Sequence, residues 1–328
     1  MRHKALLSLL FGLIVLTLLA LVGDAPKVLD SLRRFPLGYL PAILALTLWN
    51  YALRFAKWHL YLRRLGIPAS FADGLGIFLC GLSMAMTPGK AGELLKSVLL
   101  RRRVGTPMAV SAPVVLAERL TDGLAMLILA ATGVLLYRTA LAPMLGLLVA
   151  FLAIVAAVQL PAVRERALPW VLGHPRLNRQ AEAIGRLYAS ARVLLSPALL
   201  LSAVAIGIVS WSGECVAFYL VLLGLGFHAG WTLLIQAAFV LAVSTLIGSA
   251  TLLPGGLGTA ESTSAVLLVA VAHASRADAV AATLLIRLCT LWFGVGVGVV
   301  SLLLYRQRFA IFSTAARGAV PDGVASIP

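Results

Sequence analysis

Six apolar runs, near residues 5–22, 37–57, 109–136, 141–160, 197–224 and 279–304, each reach the ~18 or more residues that let an α-helix cross a ~30 Å hydrocarbon core. Lipid offers the backbone no water, so runs of this kind must close their own hydrogen bonds as helices. At 61% apolar and 12% charged residues, the 328-residue chain lies well outside soluble composition. No stretch of ordinary soluble composition is long enough for a separate catalytic domain, and the longest polar part, 161–197, reads as a loop. The expectation is an all-α polytopic membrane protein, with residues 1–310 forming one transmembrane domain and 311–328 a flexible tail. Residues 1–22 have the outline of a signal peptide. Their apolar part is long, however, and no small-x-small cleavage site follows, so a retained first helix is expected.

The net charge of +15 comes from 27 basic and 12 acidic residues. Its placement argues against nucleic acid as a partner. Basic residues sit beside the apolar runs: Arg2 and Lys4; Arg54, Lys57, Arg63 and Arg64; Lys96 and Arg101 to Arg103; Arg164 to Arg192; Arg306 and Arg308. Such a distribution orients a membrane protein and attracts anionic headgroups. It places both termini and the Arg-rich 161–197 linker in the cytoplasm. Lys27, Arg33 and Arg34 fit less well, since they fall outside, offset only by Asp24 and Asp30. Within the linker, Leu177, Ala181, Ile184, Tyr188, Ala191 and Leu195 share one helical stripe. That stripe suits a helix at headgroup level, with a plain surface linker as the alternative. Cys80, Cys215 and Cys289 are isolated in apolar runs and read as small buried side chains, and the five histidines lack ligand spacing. No metal or cofactor is expected.

Two further apolar regions, 71–100 and 231–272, are interrupted by "MTPGKAGELLK" (86–96) and "LLPGGLGTAEST" (252–263). Folding each back as a re-entrant hairpin keeps the basic clusters on one side, giving six crossings plus two hairpins. Eight full crossings are the alternative. The interruptions resemble one another: "PGKAGE" (88–93) beside "PGGLGTAE" (254–261). Glu93 precedes Arg119 by 26 residues, and Glu261 precedes Arg287 by 26. "WNYALRF" (49–55) has a fainter echo in "WSGECVAF" (211–218). Units 37–136 and 197–304 therefore read as an inverted-topology repeat, the arrangement by which transporters expose a midplane site alternately to each side.

Of the 12 acidic residues, Glu93, Glu118, Asp122, Glu214 and Glu261 fall in embedded regions, together with Arg119 and Arg287. A charge at the bilayer centre costs ~2.5–3.5 kcal/mol on insertion scales, so such groups pair or face a wet cavity. Glu118, Arg119 and Asp122 lie at helical spacings that let them share a face. Arg287 has no nearby acid on its own helix, so its partner is expected from the Glu93 or Glu261 hairpin. Irregular backbone at this depth must line protein or water, and a turn at Pro254, Gly255, Gly256 and Gly258 would leave amides free at a helix N-terminus to attract an anion. The expected substrate-binding set is Glu93, Lys96, Glu118, Arg119, Asp122, Pro254, Gly255, Gly256, Gly258, Glu261 and Arg287. Glu214 is assigned a structural role, and an internal salt-bridge set that touches no ligand is the competing reading. "GVGVG" (294–298) reads as a close-packing surface. "GGLG" lacks the strand-turn-helix setting of a nucleotide fingerprint.

"PGKAGELLKSVLLRR", "ERLTDGLAML" and "LPGGLGTAE", followed by "LLIRLCTLWF", resemble the lysylphosphatidylglycerol synthase transmembrane region, or flippase-like membrane protein family, over roughly residues 5–310. The resemblance implies a prokaryotic cytoplasmic-membrane protein whose fold is associated with moving lipids between leaflets. In fused members a cytosolic domain makes the aminoacyl lipid. Here the chain ends soon after its last helix, so that activity is not expected. The implied partners are membrane lipids with an anionic or lipid-linked headgroup, and a homo-oligomer or a lipid-biosynthesis partner is a further possibility. Three readings stay open: a lipid translocator, a membrane-embedded enzyme using Glu93, Glu118 or Glu261 as acid or base, and an accessory or scaffold protein of lipid or envelope biosynthesis.

Overall fold

The computed structural model describes residues 24–87, 92–134, 141–174, 180–251 and 253–309. The expected first helix at 5–22, residues 88–91 of the first interruption, Leu177 and the tail 311–328 lie outside that set. The described residues are helical, with no strand among them. In chain order the helices are α1 (Ala25–Arg34), α2 (Leu40–Arg64), α3 (Phe71–Leu82), α4 (Leu95–Val104), α5 (Met108–Val134), α6 (Leu141–Gln159) and α7 (Leu168–Leu172). They continue as α8 (Ala181–Leu194), α9 (Pro197–Gly224), α10 (Trp231–Ala250), α11 (Thr259–Val271), α12 (Arg276–Arg287) and α13 (Phe293–Leu304).

Among the described residues, α9, α10 and the run Arg276–Leu304 are long and apolar enough to cross a membrane. Residues Met144–Gln159 form a fourth candidate with Val163–Leu172, bent by 56° at the break. Helices α2 and α5 have crossing length, at 25 and 27 residues, but carry charges along their inner faces. Both interruptions break a helix. The 12-residue α3 is too short to span on its own, rising ~18 Å at 1.5 Å per residue, whereas the 20-residue α10 is long enough.

Two apolar cores carry the packing. One joins α9, α10 and α12 through Phe218, Val221, Leu222, Phe239, Val240 and Ile286. The other joins α2, α3, α4 and the end of α8 through Trp58, Tyr61, Ile77, Phe78, Leu99 and Leu194. Helix α9 lies along α2, α10 along α5, and α13 along α3. At the α2–α9 crossing, Asn50 Nδ2 donates to the Ser210 carbonyl at 3.2 Å and Ser210 Oγ donates to the Asn50 carbonyl at 3.1 Å. The "GVGVG" segment packs as expected. A Cβ at Gly294 would strike the Tyr51 hydroxyl, and one at Gly298 would strike the backbone of Leu82 and Ser83.

Two expectations about polar segments are corrected. The first part of 161–197 is helical rather than loop, holding the π-turn Val163–Ala167 and α7, while α8 is the helix that the apolar stripe predicts. The α8 stripe is turned toward protein rather than headgroups, because Ala191 and Leu195 are buried and Tyr188 donates to the Val158 carbonyl at 3.0 Å. The basic residues at 27–34 sit on α1, where Lys27 pairs with Asp24 at 2.7 Å and Arg34 with Asp30 at 3.2 Å. Val28 and Ser31 anchor that helix to α12, with Ser31 Oγ donating to Asp278 at 2.7 Å.

Candidate functional site

The second interruption is the more fully described. Pro254–Gly256 forms a single 3₁₀ turn, with Gly255, Gly256 and Gly258 at φ of 60°, 68° and 86°. Those left-handed angles strain any residue with a Cβ, which explains the glycine density here. Glu261, in the first turn of α11, is fully buried. Its Oε2 accepts from the Gly258 amide at 2.8 Å, and its Oε1 accepts from Arg287 Nε at 2.5 Å. Arg287 Nη2 donates in turn to the Gly255 carbonyl at 2.7 Å. The expected free amide at this helix start is thus occupied, at Gly258, by the chain's own carboxylate.

At the first interruption, the Gly92 amide donates to Thr87 Oγ1 at 2.8 Å and Glu93 follows at once. Arg119 Nε donates to Glu93 Oε2 at 3.0 Å, and its Nη2 contacts Oε1 of the same carboxylate. Both interruptions therefore carry a glutamate held by an arginine 26 residues further on.

The acids of α5 find partners on other elements rather than along their own helix. Glu118 Oε2 takes Lys96 Nζ of α4 at 2.5 Å, and Asp122 Oδ1 takes Lys57 Nζ of α2 at 2.5 Å. Lys57 also donates to Thr121 Oγ1 at 3.3 Å, and Tyr61 meets the same hydroxyl at 3.2 Å. Residues at 118, 119 and 122 fan out across the helix face toward α4, the first interruption and α2. In a medium of low dielectric each charge is steadied most by a counter-ion in direct contact, which those neighbours supply. Lys57, expected at the membrane edge, is instead fully buried. Arg54, also read as an edge charge, points inward. Its Nε is 3.9 Å from Asp122 Oδ2 and has no hydrogen-bond partner, and its guanidinium lies 5.7 Å from the Trp211 ring centroid.

These groups surround a cavity of about 520 Å³. Of the expected set, Glu93, Lys96, Arg119, Asp122, Gly255, Gly256 and Arg287 line it. Glu118 and Glu261 stand behind that wall as counter-ions, and Pro254 and Gly258 belong to the turn without lining it. The cavity adds Tyr51 and Arg54 of α2, Trp211 and Glu214 of α9, and the hydroxyls of Ser244, Thr245, Ser264, Thr283 and Thr290. Tyr51 Oη donates to the Thr290 carbonyl at 2.6 Å, joining α2 to the π-turn Leu288–Trp292 that follows Arg287. A second cleft of similar volume, between α2 and α3, is mostly apolar and borders only His59 and Arg63 among ionisable groups. Tyr51, Arg54, Lys57, Trp211 and Glu214 were missing from the expected set. The faint "WNYALRF" and "WSGECVAF" echo is the signal that would have found all but Lys57. Among the described residues no group of His, Cys, Asp and Glu converges as a metal site requires.

The sequence profile of the lysylphosphatidylglycerol synthase TM region matches residues 6–298. A UPF0104 membrane protein of Methanothermobacter thermautotrophicus is 27% identical over 330 residues, covering 92% of this chain and 96% of that protein. The polytopic helices, the two glycine-rich interruptions and their glutamate–arginine pairs thus lie within one continuous match: the chain is a membrane protein belonging to the lysylphosphatidylglycerol synthase transmembrane-region family.

Proposed function

We propose that this protein moves an anionic phospholipid or lipid-linked headgroup between the leaflets of a prokaryotic cytoplasmic membrane, using the charged cavity as the headgroup's path. The observation that carries this reading is the cavity of about 520 Å³, onto which Arg54, Arg119 and Arg287 open from three helices. Buried arginine suits phosphate, because its planar guanidinium offers paired donors and stays charged out of water.

The helix pairings support a repeat. Helix α9 on α2 joins the corresponding first members of the two units. Helix α10 on α5 and α3 on α13 are then the same contact made in both directions. The Glu93–Arg119 and Glu261–Arg287 pairs follow the same correspondence. In this reading the first interruption is a re-entrant tip, and the two interruptions flank the path at mid-depth.

The test is leaflet exchange of a fluorescent phosphatidylglycerol by purified protein in phosphatidylcholine vesicles, followed by dithionite quenching. Exchange above that of protein-free vesicles, reduced at least tenfold in Arg54→Gln with Tm maintained, is the expected result. Exchange equal to that of empty vesicles rules translocation out.

A further inference from the structure

Five cations and five acids occupy the cavity and the layer behind it. The cations are Arg54, Lys57, Lys96, Arg119 and Arg287, and the acids are Glu93, Glu118, Asp122, Glu214 and Glu261. Four pairs close in direct contact: Lys57–Asp122, Lys96–Glu118, Arg119–Glu93 and Arg287–Glu261. Two groups remain. Arg54 has only its 3.9 Å approach to Asp122, whose other oxygen already holds Lys57. Glu214 is 6% exposed, lines the cavity, and has no ion pair or hydrogen bond from its side chain among the described residues.

The surroundings of Glu214 narrow its role. From α2 it faces Tyr51 and Arg54, from α5 Asp122, and from α12 Arg287, while the adjacent α10 has no ionisable residue. On its own helix the nearest titratable neighbour is the buried Cys215. Arg287 and Asp122 are committed to their own counter-ions. Around the cavity Arg54 is thus balanced against Glu214, through space rather than by contact. Such a carboxylate has no counter-ion in contact, so a charge entering the cavity alters the balance around it directly.

Resting on the translocation reading above, we infer that Glu214 is a proton-coupling residue: it takes up one proton when a monoanionic phosphodiester headgroup engages Arg54, and gives it up when the headgroup leaves. The balance is simple. With Glu214 ionised, the headgroup would bring the cavity to one net negative charge, which lipid disfavours. A proton from the aqueous side open to the cavity forms an O–H bond on Glu214 and restores neutrality. That bond breaks to water on the side where the headgroup is released. The loaded cavity is neutral, so a membrane voltage does no work on it, whereas a pH difference drives it.

Two measurements test this separately from the translocation reading. The first is calorimetric binding of dihexanoylphosphatidylglycerol to the full-length protein in detergent, in buffers of different ionisation enthalpy. Uptake of about one proton per headgroup by the wild type, none by Glu214→Gln, and recovery in Glu214→Asp are expected. The second is phosphatidylglycerol exchange in vesicles. An imposed pH difference should drive the wild type and a valinomycin potential should not, with Glu214→Gln reversing both responses. Binding without proton uptake, or equal uptake by the wild type and Glu214→Gln, overturns the assignment even if lipid is exchanged. Proton uptake without exchange upholds the assignment and refutes translocation. Failure of the wild type to bind the short-chain lipid overturns both.

Discussion

Asn50 and Ser210 hold each other by the same device: each side chain donates to the other's main-chain carbonyl, at 3.2 and 3.1 Å, and neither residue is exposed. One follows Trp49 and the other precedes Trp211, so the exchange locks the crossing from which Arg54 and Glu214 project into the cavity. Asn50→Ala and Ser210→Ala are each expected to cost about 0.5–1.5 kcal/mol, because truncation removes an interhelical hydrogen bond while the carbonyl keeps its donor within its own helix. The double variant should lose less than the sum of the two. Thermal unfolding in detergent measures all three, and strict additivity would count against a shared lock.

The Lys57–Asp122 contact, at 2.5 Å with both side chains buried, makes a sharper prediction. Asp122→Leu strands Lys57 and is expected to destabilise by ~3–5 kcal/mol, and Lys57→Met by somewhat less, since it leaves Asp122 the 3.9 Å approach of Arg54. Combining them removes both charges and should recover most of that loss. Expression level and Tm report it, and a double variant as unstable as the worse single one would refute the pairing.

Two glycines separate backbone strain from crowding. Gly226 has φ 92° with nothing within 4 Å of an added Cβ, so Gly226→Ala should cost only the left-handed penalty, ~1–2 kcal/mol. Gly256 has φ 68°, and its added Cβ would lie 3.0 Å from the Cα and carbonyl oxygen of Gly248. Gly256→Ala is expected to lower Tm further by forcing the turn away from α10. Equal Tm losses would mean that the turn gives way freely.

Thiol labelling tests access to the cavity. The native Cys80, Cys215 and Cys289 are buried, so they should stay unmodified by a membrane-impermeant methanethiosulfonate. Thr245→Cys lines the cavity and should react, more slowly when phosphatidylglycerol is present. Thr259→Cys, at the start of α11, should react from one side of the membrane if the second interruption is a one-sided dip. In a dip that side is the one bearing the α9–α10 link, and labelling from the opposite side would favour a full crossing by α10.

The 26-residue spacing was the most legible part of the site. A glutamate beside a glycine-rich break and an arginine in a later apolar run can be matched without coordinates, and both pairs close as ion contacts. The spacing did not reveal which of Glu93 and Glu261 would hold Arg287, since the sequence does not say which helices lie side by side. Lys57 and Arg54 were misread for a related reason. A cation near the end of an apolar run looks like a headgroup anchor, and only the continuation of α2 to Arg64 carries the polar boundary past it. Glu214 was noticed but set aside, because a lone acid stands out only when the other acids around the cavity are each seen to have a partner. Asp73 escaped notice altogether. It lies in the first turn of α3, where its amide donates to the capping Ser70 hydroxyl, and its carboxylate holds Arg103 at 3.1 Å and Arg308 at 2.8 Å, a tie between distant segments that no local pattern announces.

Where each counter-ion sits along the chain also bears on how the protein is made. Lys57–Asp122, Lys96–Glu118 and Glu93–Arg119 all close within residues 57–122, and Glu261–Arg287 closes within the later half. As the ribosome delivers the polypeptide from its N-terminus, the first set can neutralise itself before α9 has been synthesised. Among the cavity's cations, Arg54 has within that set only its 3.9 Å approach to Asp122. The two halves, translated as separate polypeptides and inserted independently, would then meet through few charges, Arg54 facing Glu214 in the cavity and Asp73 taking Arg308, and those charges would draw them together.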